Sequence, residues 1–155
     1  KTLTSNTDGY FPSTPATNLL FGLQEAVAML MEEGLDEVFA RHARLAEATR
    51  RAVQAWGLEL LCRNLDQYSS SLTAVQMAHG VNADDFRRIV LDRFGMPLGN
   101  GLGKLAGRVF RIGHLGDFNE LMLLGSLSGI EMGLAASGID YQAGGVQAAI
   151  DFLSD

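Results

Sequence analysis

The stretch RVFRIGHLGD, residues 108–117, constrains the fold of this chain more than any other part of the sequence. Phe110 and Ile112 belong to an apolar, β-rich run typical of a buried strand, and Gly113 begins a turn after it. Arg111 lies in the middle of that run, where an unpaired buried charge would destabilise the protein by ~3–5 kcal/mol. We therefore expect an anion beside Arg111, either a carboxylate of this protein or a ligand.

The composition is that of a single globular domain. The chain has 155 residues, of which 47% are hydrophobic and 19% charged, and this is enough for one compact domain with a hydrophobic core. Its formal net charge of -6 disfavours nucleic acid as a partner, because a polyanion binds a basic surface. No apolar run approaches the roughly 20 residues that cross a bilayer, so we expect no membrane partner.

The cysteine and histidine content argues against an intrachain disulfide and against a metal site. Cys62 is the only cysteine, which rules out an intrachain disulfide and favours a reducing, cytoplasmic location. Because it falls on a predicted strand with no base nearby, we interpret it as a small apolar core residue. His42 falls within a charged helix, where solvent or a local carboxylate is its expected neighbour. The histidines do not have the spacing of metal ligands, so no metal is expected.

Helical periodicity predicts an N-terminal helix over residues 14–34 and a second helix over residues 35–56. Thr14 is expected to cap the first helix, with Pro15 at its first helical position. The first helix is so apolar that we expect it to be packed on more than one side. The second helix has a predicted inner stripe formed by Val38, Phe39, Leu45, Ala48, Ala52 and Val53.

The remainder of the chain alternates short strands with helices. Strands are predicted over residues 58–62, 72–77 and 108–113, the first two pairing antiparallel. Between the second and third strands, Asn82 is expected to cap a helix that runs to about Phe94, and a glycine-rich loop follows this helix. After the third strand, Asp117 is expected to cap a long apolar helix. The loop spans residues 99–107, the apolar helix runs to about residue 136, and a last helix covers residues 145–153.

This order of elements predicts an α+β fold. We expect a small, mostly antiparallel sheet of about three or four short strands, covered by helices on one face and preceded by an apolar linking helix. The predicted organisation is an arm and linking helix over residues 1–34, followed by a small domain over residues 35–155.

Three positions are candidates for a site. Arg111 either pairs with an Asp or Glu of the protein or offers its planar fork to a substrate carboxylate, beside a pocket shaped by the glycine-rich loop. Thr14 is either a helix cap alone or part of a phosphate site at a helix N-terminus. His114 follows the arginine strand closely enough to line a pocket, whereas Lys104 is expected to be exposed.

Two segments together resemble a known enzyme family. They are GYFPSTPATNLLFGLQEAVAMLMEEGLDEVFARH, residues 9–42, and MPLGNGLGKLAGRVFRIGHLGD, residues 96–117. Their order and spacing are similar to those of the C-terminal part of class V, fold type I pyridoxal-phosphate aminotransferases, in particular the alanine/serine–glyoxylate branch. The likeness runs from about residue 9 to about residue 137.

The resemblance implies roles for three residues. It implies that Arg111 binds the α-carboxylate of the substrate. It also implies that Thr14 reaches the phosphate of the cofactor, pyridoxal 5'-phosphate, held by the neighbouring subunit of a homodimer. Phe11 stands where the family often has an aromatic that shares this task. Since Phe11 has no hydroxyl, it can pack against the cofactor but cannot donate to the phosphate.

The family's activity is the transfer of an amino group from serine or alanine to glyoxylate or pyruvate, so the implied partners are small amino and oxo acids. The resemblance also implies an N-terminal domain that is missing from this chain and carries the lysine that forms the Schiff base. Lys1 and Lys104 do not match that position, so no catalytic residue is assigned in this chain. By itself the chain is not expected to transaminate.

Two other interpretations stay open. One is another class V activity, such as a cysteine desulfurase, which needs a cysteine on a mobile loop; the predicted strand position of Cys62 argues against it. The other is a non-catalytic dimerisation or carboxylate-binding module. A gene beginning at this point would support the module, because it would lack any Schiff-base lysine.

Overall fold

The computed structural model describes residues 14–155 and divides into two compact units. One unit ends at Val38 and the other spans Phe39–Asp155. Within the described residues, no helix is long and apolar enough to cross a membrane.

The first unit contains helix α1, Thr17–Glu33, which ends at Gly34. Thr14 does not cap this helix, contrary to the prediction: Ala16 occupies the cap position and no side chain caps the helix. Pro15 also lies outside α1, which begins at Thr17. Its carbonyl accepts the amide proton of Thr17 in a turn that precedes the helix. No residue of α1 is buried among the described residues, so the expected packing on several sides is not supplied by this part of the chain.

Helix α2, Leu35–Ala55, leads into the second unit, where the remaining elements follow in order. They are β1 Glu59–Leu60, β2 Leu72–Gln76, α3 Ala83–Phe94, β3 Gly99–Asn100, β4 Val109–Gly113, α4 Glu120–Ser137 and α5 Gly145–Ser154. Short 3-10 turns lie at Leu65–Gln67 and Gly103–Leu105.

The strands form one antiparallel sheet in the order β1-β2-β4-β3, so the predicted α+β class is confirmed. Strand β4 lies inside the sheet, with Val75 of β2 opposite Phe110 and Thr73 opposite Ile112. Because paired residues of an antiparallel sheet share a face and neighbours alternate, these side chains point into the core and Arg111 points to the other face.

One hydrophobic core joins the inner face of the sheet to the helices. Its largest buried side chains include Trp56 after α2, Phe86 on α3 and Phe110 on β4. The rings of Phe86 and Phe110 lie 5.0 Å apart, centroid to centroid, in a tilted arrangement that aromatic pairs favour. The core therefore fixes β4 firmly beneath α3, and the position of Arg111 follows from it.

Several local predictions change in the structure. Phe39 is 63% exposed and does not belong to the inner stripe of α2, whereas the other predicted members, residues 38, 45, 48, 52 and 53, are buried. Asp117 does not cap α4; Asn119 does, with its side chain accepting from the amide of Met122. Cys62 lies in the loop after β1 rather than on the strand.

Candidate functional site

Arg111 lies at the centre of β4, between Ala74 of β2 and Gly99 of β3. Its side chain is half-buried on the face of the sheet opposite to the hydrophobic core. The two flanking residues have small side chains or none, so they leave room around the guanidinium. A cation on a strand between such neighbours is in a good position to meet a small ligand on this face.

Within the described part of the chain, the guanidinium of Arg111 has no acidic side chain beside it. Among residues 14–155, no Asp or Glu forms an ion pair with Arg111, and its Nε is the one buried side-chain nitrogen or oxygen without a hydrogen-bond partner. The pairing with a carboxylate of the protein, which the sequence left open, is therefore not made within the described residues. A carboxylate from a ligand would satisfy an arginine in this position.

The glycine-rich loop approaches β4 closely. Gly99 pairs with Arg111 in the sheet, and the predicted loop begins instead as the short strand β3. Gly101 is buried, and a Cβ at this position would collide with the backbone of Leu105, so only glycine lets the chain double back here. The glycines thus bring backbone, rather than side chains, to the edge of the site.

His114 does not line the site and forms part of the core instead. It is fully buried; its Nδ1 lies 3.2 Å from the carbonyl oxygen of Ser70, and its Nε2 lies 2.9 Å from the hydroxyl of Thr73. Because a carbonyl only accepts, Nδ1 carries the proton and Nε2 accepts from the threonine. Burial lowers the pKa of His114 to about 4, against a smaller opposing effect of the Ser70 carbonyl. The imidazole is therefore neutral at physiological pH.

The turn between β4 and α4 is held by two residues of α2. Arg41 Nη1 donates to the carbonyl oxygens of Gly116 at 2.8 Å and Phe118 at 3.0 Å, and His42 Nε2 accepts the amide proton of Gly116 at 3.0 Å. The sequence predicted solvent or a local carboxylate as the neighbour of His42, and it did not predict this contact with the Gly116 amide. Helical spacing does not say which loop a residue will meet, so no signal in the sequence identified this contact.

Known proteins resemble this chain over almost its whole length. No family model matches it. The serine–glyoxylate aminotransferase of Methylorubrum extorquens is 48% identical over 97% of the chain, and that of Arabidopsis thaliana is 46% identical over 93%. The chain belongs to the class V aminotransferases. It spans only 38% and 36% of the length of these two relatives and corresponds to their C-terminal part.

Solved structures of aminotransferases agree with this assignment. The pyridoxamine–pyruvate aminotransferase of Mesorhizobium loti superposes with a TM-score of 0.86 at 31% identity, over 94% of this chain and 38% of that one. The ureidoglycine–glyoxylate aminotransferase of Bacillus subtilis gives a TM-score of 0.83 at 29% identity, over 94% of this chain and 37% of that one. The predicted resemblance of this chain to the C-terminal part of this family is confirmed.

The family depends on pyridoxal phosphate, and part of this chain fits its phosphate group. Thr14 is exposed, and its hydroxyl is left free of the helix because no side chain caps α1. A hydroxyl next to uncapped helical N–H groups is the donor set that a phosphate prefers. Phe11 lies outside the described residues. Lys104 is exposed on the turn Gly103–Leu105, and nothing around it marks it as the lysine of the reaction.

Proposed function

We propose that this chain is the carboxylate-binding part of a pyridoxal-phosphate aminotransferase that transfers an amino group from serine or alanine to glyoxylate or pyruvate. The observation that carries the proposal is the half-buried Arg111 guanidinium, which has no acidic partner in residues 14–155. The relatives named as serine–glyoxylate aminotransferases support the choice of substrates.

Arg111 would act by holding the group that all of these substrates share. Serine, alanine, glyoxylate and pyruvate each carry a carboxylate beside the carbon that gains or loses nitrogen. A planar guanidinium binds a carboxylate through two parallel hydrogen bonds, which fix its orientation as well as its position. One arginine can therefore align donor and acceptor in turn, and such alignment lowers a barrier by several kcal/mol, roughly.

Thr14 would bind the phosphate of pyridoxal phosphate, with Phe11 packing nearby. When bound, this cofactor supplies the electrophilic carbon and the electron sink through which an amino group is exchanged. In the proposed enzyme the lysine that anchors the cofactor lies in a preceding domain, and Thr14 acts across the interface of a homodimer. The single cysteine, Cys62, fits a cytoplasmic location for this enzyme.

The test compares two arginine variants of the full-length enzyme that contains this chain. With serine and glyoxylate as substrates, we expect Arg111→Ala to raise KM for both by about 100-fold, the loss of a charge-assisted bidentate contact, without changing the absorbance of the bound cofactor. Arg63→Ala is the matched control, because that side chain is 84% exposed and should leave the kinetics unchanged. Unchanged KM values in Arg111→Ala would remove Arg111 from the site.

A second outcome separates the enzyme from the non-catalytic module. Formation of glycine and hydroxypyruvate by the wild-type enzyme would support the aminotransferase. Binding of glyoxylate without turnover, and without incorporation of pyridoxal phosphate, would indicate a carboxylate-binding module and would refute the proposed reaction.

A further inference from the structure

We propose that Gly99 is a positioning residue for Arg111, and that its missing side chain is what lets the guanidinium present its two terminal nitrogens to the substrate carboxylate. This inference rests on the proposed function of Arg111. It concerns a residue on a different strand, which touches no substrate itself.

The geometry around Gly99 is tight on the side of Arg111. A Cβ built on Gly99 would lie 3.0 Å from Cβ of Arg111, 3.2 Å from its Nε and 3.4 Å from its carbonyl oxygen. Contacts of 3.0–3.4 Å are tighter than nine in ten real Cβ contacts, so the arginine side chain or strand β4 would have to give by a few tenths of an ångström. The arginine side chain thus lies directly against the bare Cα of Gly99.

The backbone does not itself require glycine at this position. Gly99 is absent from the glycines with positive φ in residues 14–155, so its conformation is one that any residue adopts. In contrast, Gly95 closes α3 with a φ of 64°, where a side chain would be strained. Space for Arg111 is therefore the physical reason for glycine at position 99.

The contact decides which edge of the guanidinium faces a ligand. Nε is buried and has no partner among the described residues, and Gly99 is one of the groups that cover it. Among the nitrogens of the Arg111 side chain, only Nε is both buried and without a partner, so Nη1 and Nη2 remain as the donors to a carboxylate. We expect the substrate carboxylate to bind end-on to these two nitrogens, and a side chain at position 99 to turn them away.

The experiment uses the full-length enzyme with three single variants and one double variant that combines Gly99→Ala with Arg111→Ala. Gly99→Ala tests the inference, Arg111→Ala tests the proposed function, and Gly125→Ala is the control, because a Cβ on this exposed helical glycine meets nothing within 4 Å. The measurement is kcat/KM for glyoxylate relative to glycolaldehyde, an aldehyde of similar size without a carboxylate, together with KM for serine.

We expect Gly99→Ala to lower the preference for glyoxylate about tenfold and to raise KM for serine by a similar factor, which is the loss of about one well-aligned hydrogen bond. The value of kcat at saturation should change much less, and Gly125→Ala should match the wild type. In the Arg111→Ala background, Gly99→Ala should have no further effect on the preference, since no guanidinium is left to displace.

The outcomes separate the two proposals. If Arg111→Ala abolishes the preference for glyoxylate but Gly99→Ala leaves it intact, the positioning role of Gly99 is wrong and the function of Arg111 stands. If Arg111→Ala also leaves the preference intact, both proposals fall.

A crystal structure of the wild-type enzyme with glycolate tests the inference even if Gly99→Ala does not fold. We expect the carboxylate oxygens to lie about 2.7–3.0 Å from Nη1 and Nη2, with Nε still packed on Gly99. A carboxylate bound to Nε, or an arginine rotated away from Gly99, would overturn it.

Discussion

A neutral imidazole buried next to the site makes the protein sensitive to acid. Burial lowers the pKa of His114 to about 4, whereas in the unfolded chain it titrates near its ordinary value of 6.5. Between these values the unfolded state binds more protons than the folded state, so the free energy of unfolding falls as the pH falls. The contribution is fully present above pH 6.5 and is lost towards pH 4.

We expect this loss to reach roughly 3 kcal/mol in urea unfolding of the protein between pH 7 and pH 4. His114→Asn, whose amide can still donate to the carbonyl of Ser70, should flatten that part of the profile. The exposed His79 gives the control, and His79→Asn should keep the slope of the wild type. An equal slope in His114→Asn would show that other groups cause the acid sensitivity.

Glu131 lies on α4 and connects this helix to Trp56, after α2, and to the start of α5. Its carboxylate accepts from Trp56 Nε1 at 2.9 Å, from the Gly144 amide at 2.8 Å and from the Val146 amide at 3.0 Å. Burial raises the pKa of Glu131, but these three donors together outweigh it and lower the pKa below its ordinary value. The carboxylate therefore caps the N-terminus of α5 in its ionised form.

Glu131→Gln should destabilise the protein by about 2–3 kcal/mol, because the amide turns an NH2 group toward donors that need an acceptor. Glu120→Gln removes a half-exposed ion pair with Arg44 and should change the free energy of unfolding by less than about 1 kcal/mol. Chemical denaturation of both variants checks the difference. Equal effects would mean that Glu131 does not act as the cap.

Arg111 could be identified as a candidate site residue from the sequence, because a charged side chain within a buried strand needs an anion beside it. Gly99 and His42 were not identified. A glycine-rich loop does not reveal which glycine faces which side chain, and a histidine on a charged helix looks like a surface residue. Both assignments depend on contacts between residues far apart in the chain, which no local pattern encodes.

At the scale of the element, Asp117 and Asn119 are the two possible caps at the start of α4. The spacing of Asp117 and Glu120 resembles a capping box, yet the side chain of Asn119 accepts from the Met122 amide at 3.0 Å. Asn119→Ala should therefore lower the free energy of unfolding by about 1 kcal/mol, whereas Asp117→Ala should change it by only a few tenths. Thermal unfolding of the two variants decides between them, and a larger effect of Asp117→Ala would contradict this cap.

The elements themselves were largely predictable, and their ends were not. Helix α3 follows its cap Asn82 and ends at Phe94 as predicted, because a side-chain cap and a left-handed glycine, here Gly95, are local signals. Strand β1 shrinks to two residues and leaves Cys62 in a loop, since its length depends on how far β2 stays paired with it. The predicted antiparallel pairing of these two strands is confirmed.

Cys62 lies in a loop and not on the predicted strand, so its position does not argue against a desulfurase. Cys62 is nonetheless half-buried, with Sγ 3.5 Å from the carbonyl oxygen of Asn64 and 3.7 Å from that of Gln67. The aminotransferase proposal therefore relies on Arg111 and on the named relatives, not on the position of Cys62.

At the scale of the whole molecule, α1 is an apolar helix, and none of its residues is buried among residues 14–155. Leu19, Phe21 and Met31 are 74%, 69% and 64% exposed. If this segment takes part in the proposed homodimer, Phe21→Asp in the full-length enzyme should lower the dimer fraction in sedimentation velocity, because a carboxylate at such a contact would be desolvated. Gln24→Glu serves as the polar control. A dimer that survives Phe21→Asp unchanged would exclude Phe21 from the interface.

The α+β architecture followed from the sequence because strand and helix periods, turn glycines and caps agree with one another along most of the chain. The site could be predicted only in part. Its proposed carboxylate-binding half lies on β4, whereas the proposed cofactor contacts at Thr14 and Phe11 need groups that this chain does not contain.

The central claim is that Arg111 receives a carboxylate. The most direct test is the inhibition constant of glycolate, which carries a carboxylate but no amino or oxo group, in the full-length enzyme. We expect competitive inhibition against glyoxylate in the wild type, a loss of about 100-fold in Arg111→Ala, and partial retention in Arg111→Lys, which keeps the charge but not the fork. An inhibition constant that is the same in all three proteins would contradict the claim.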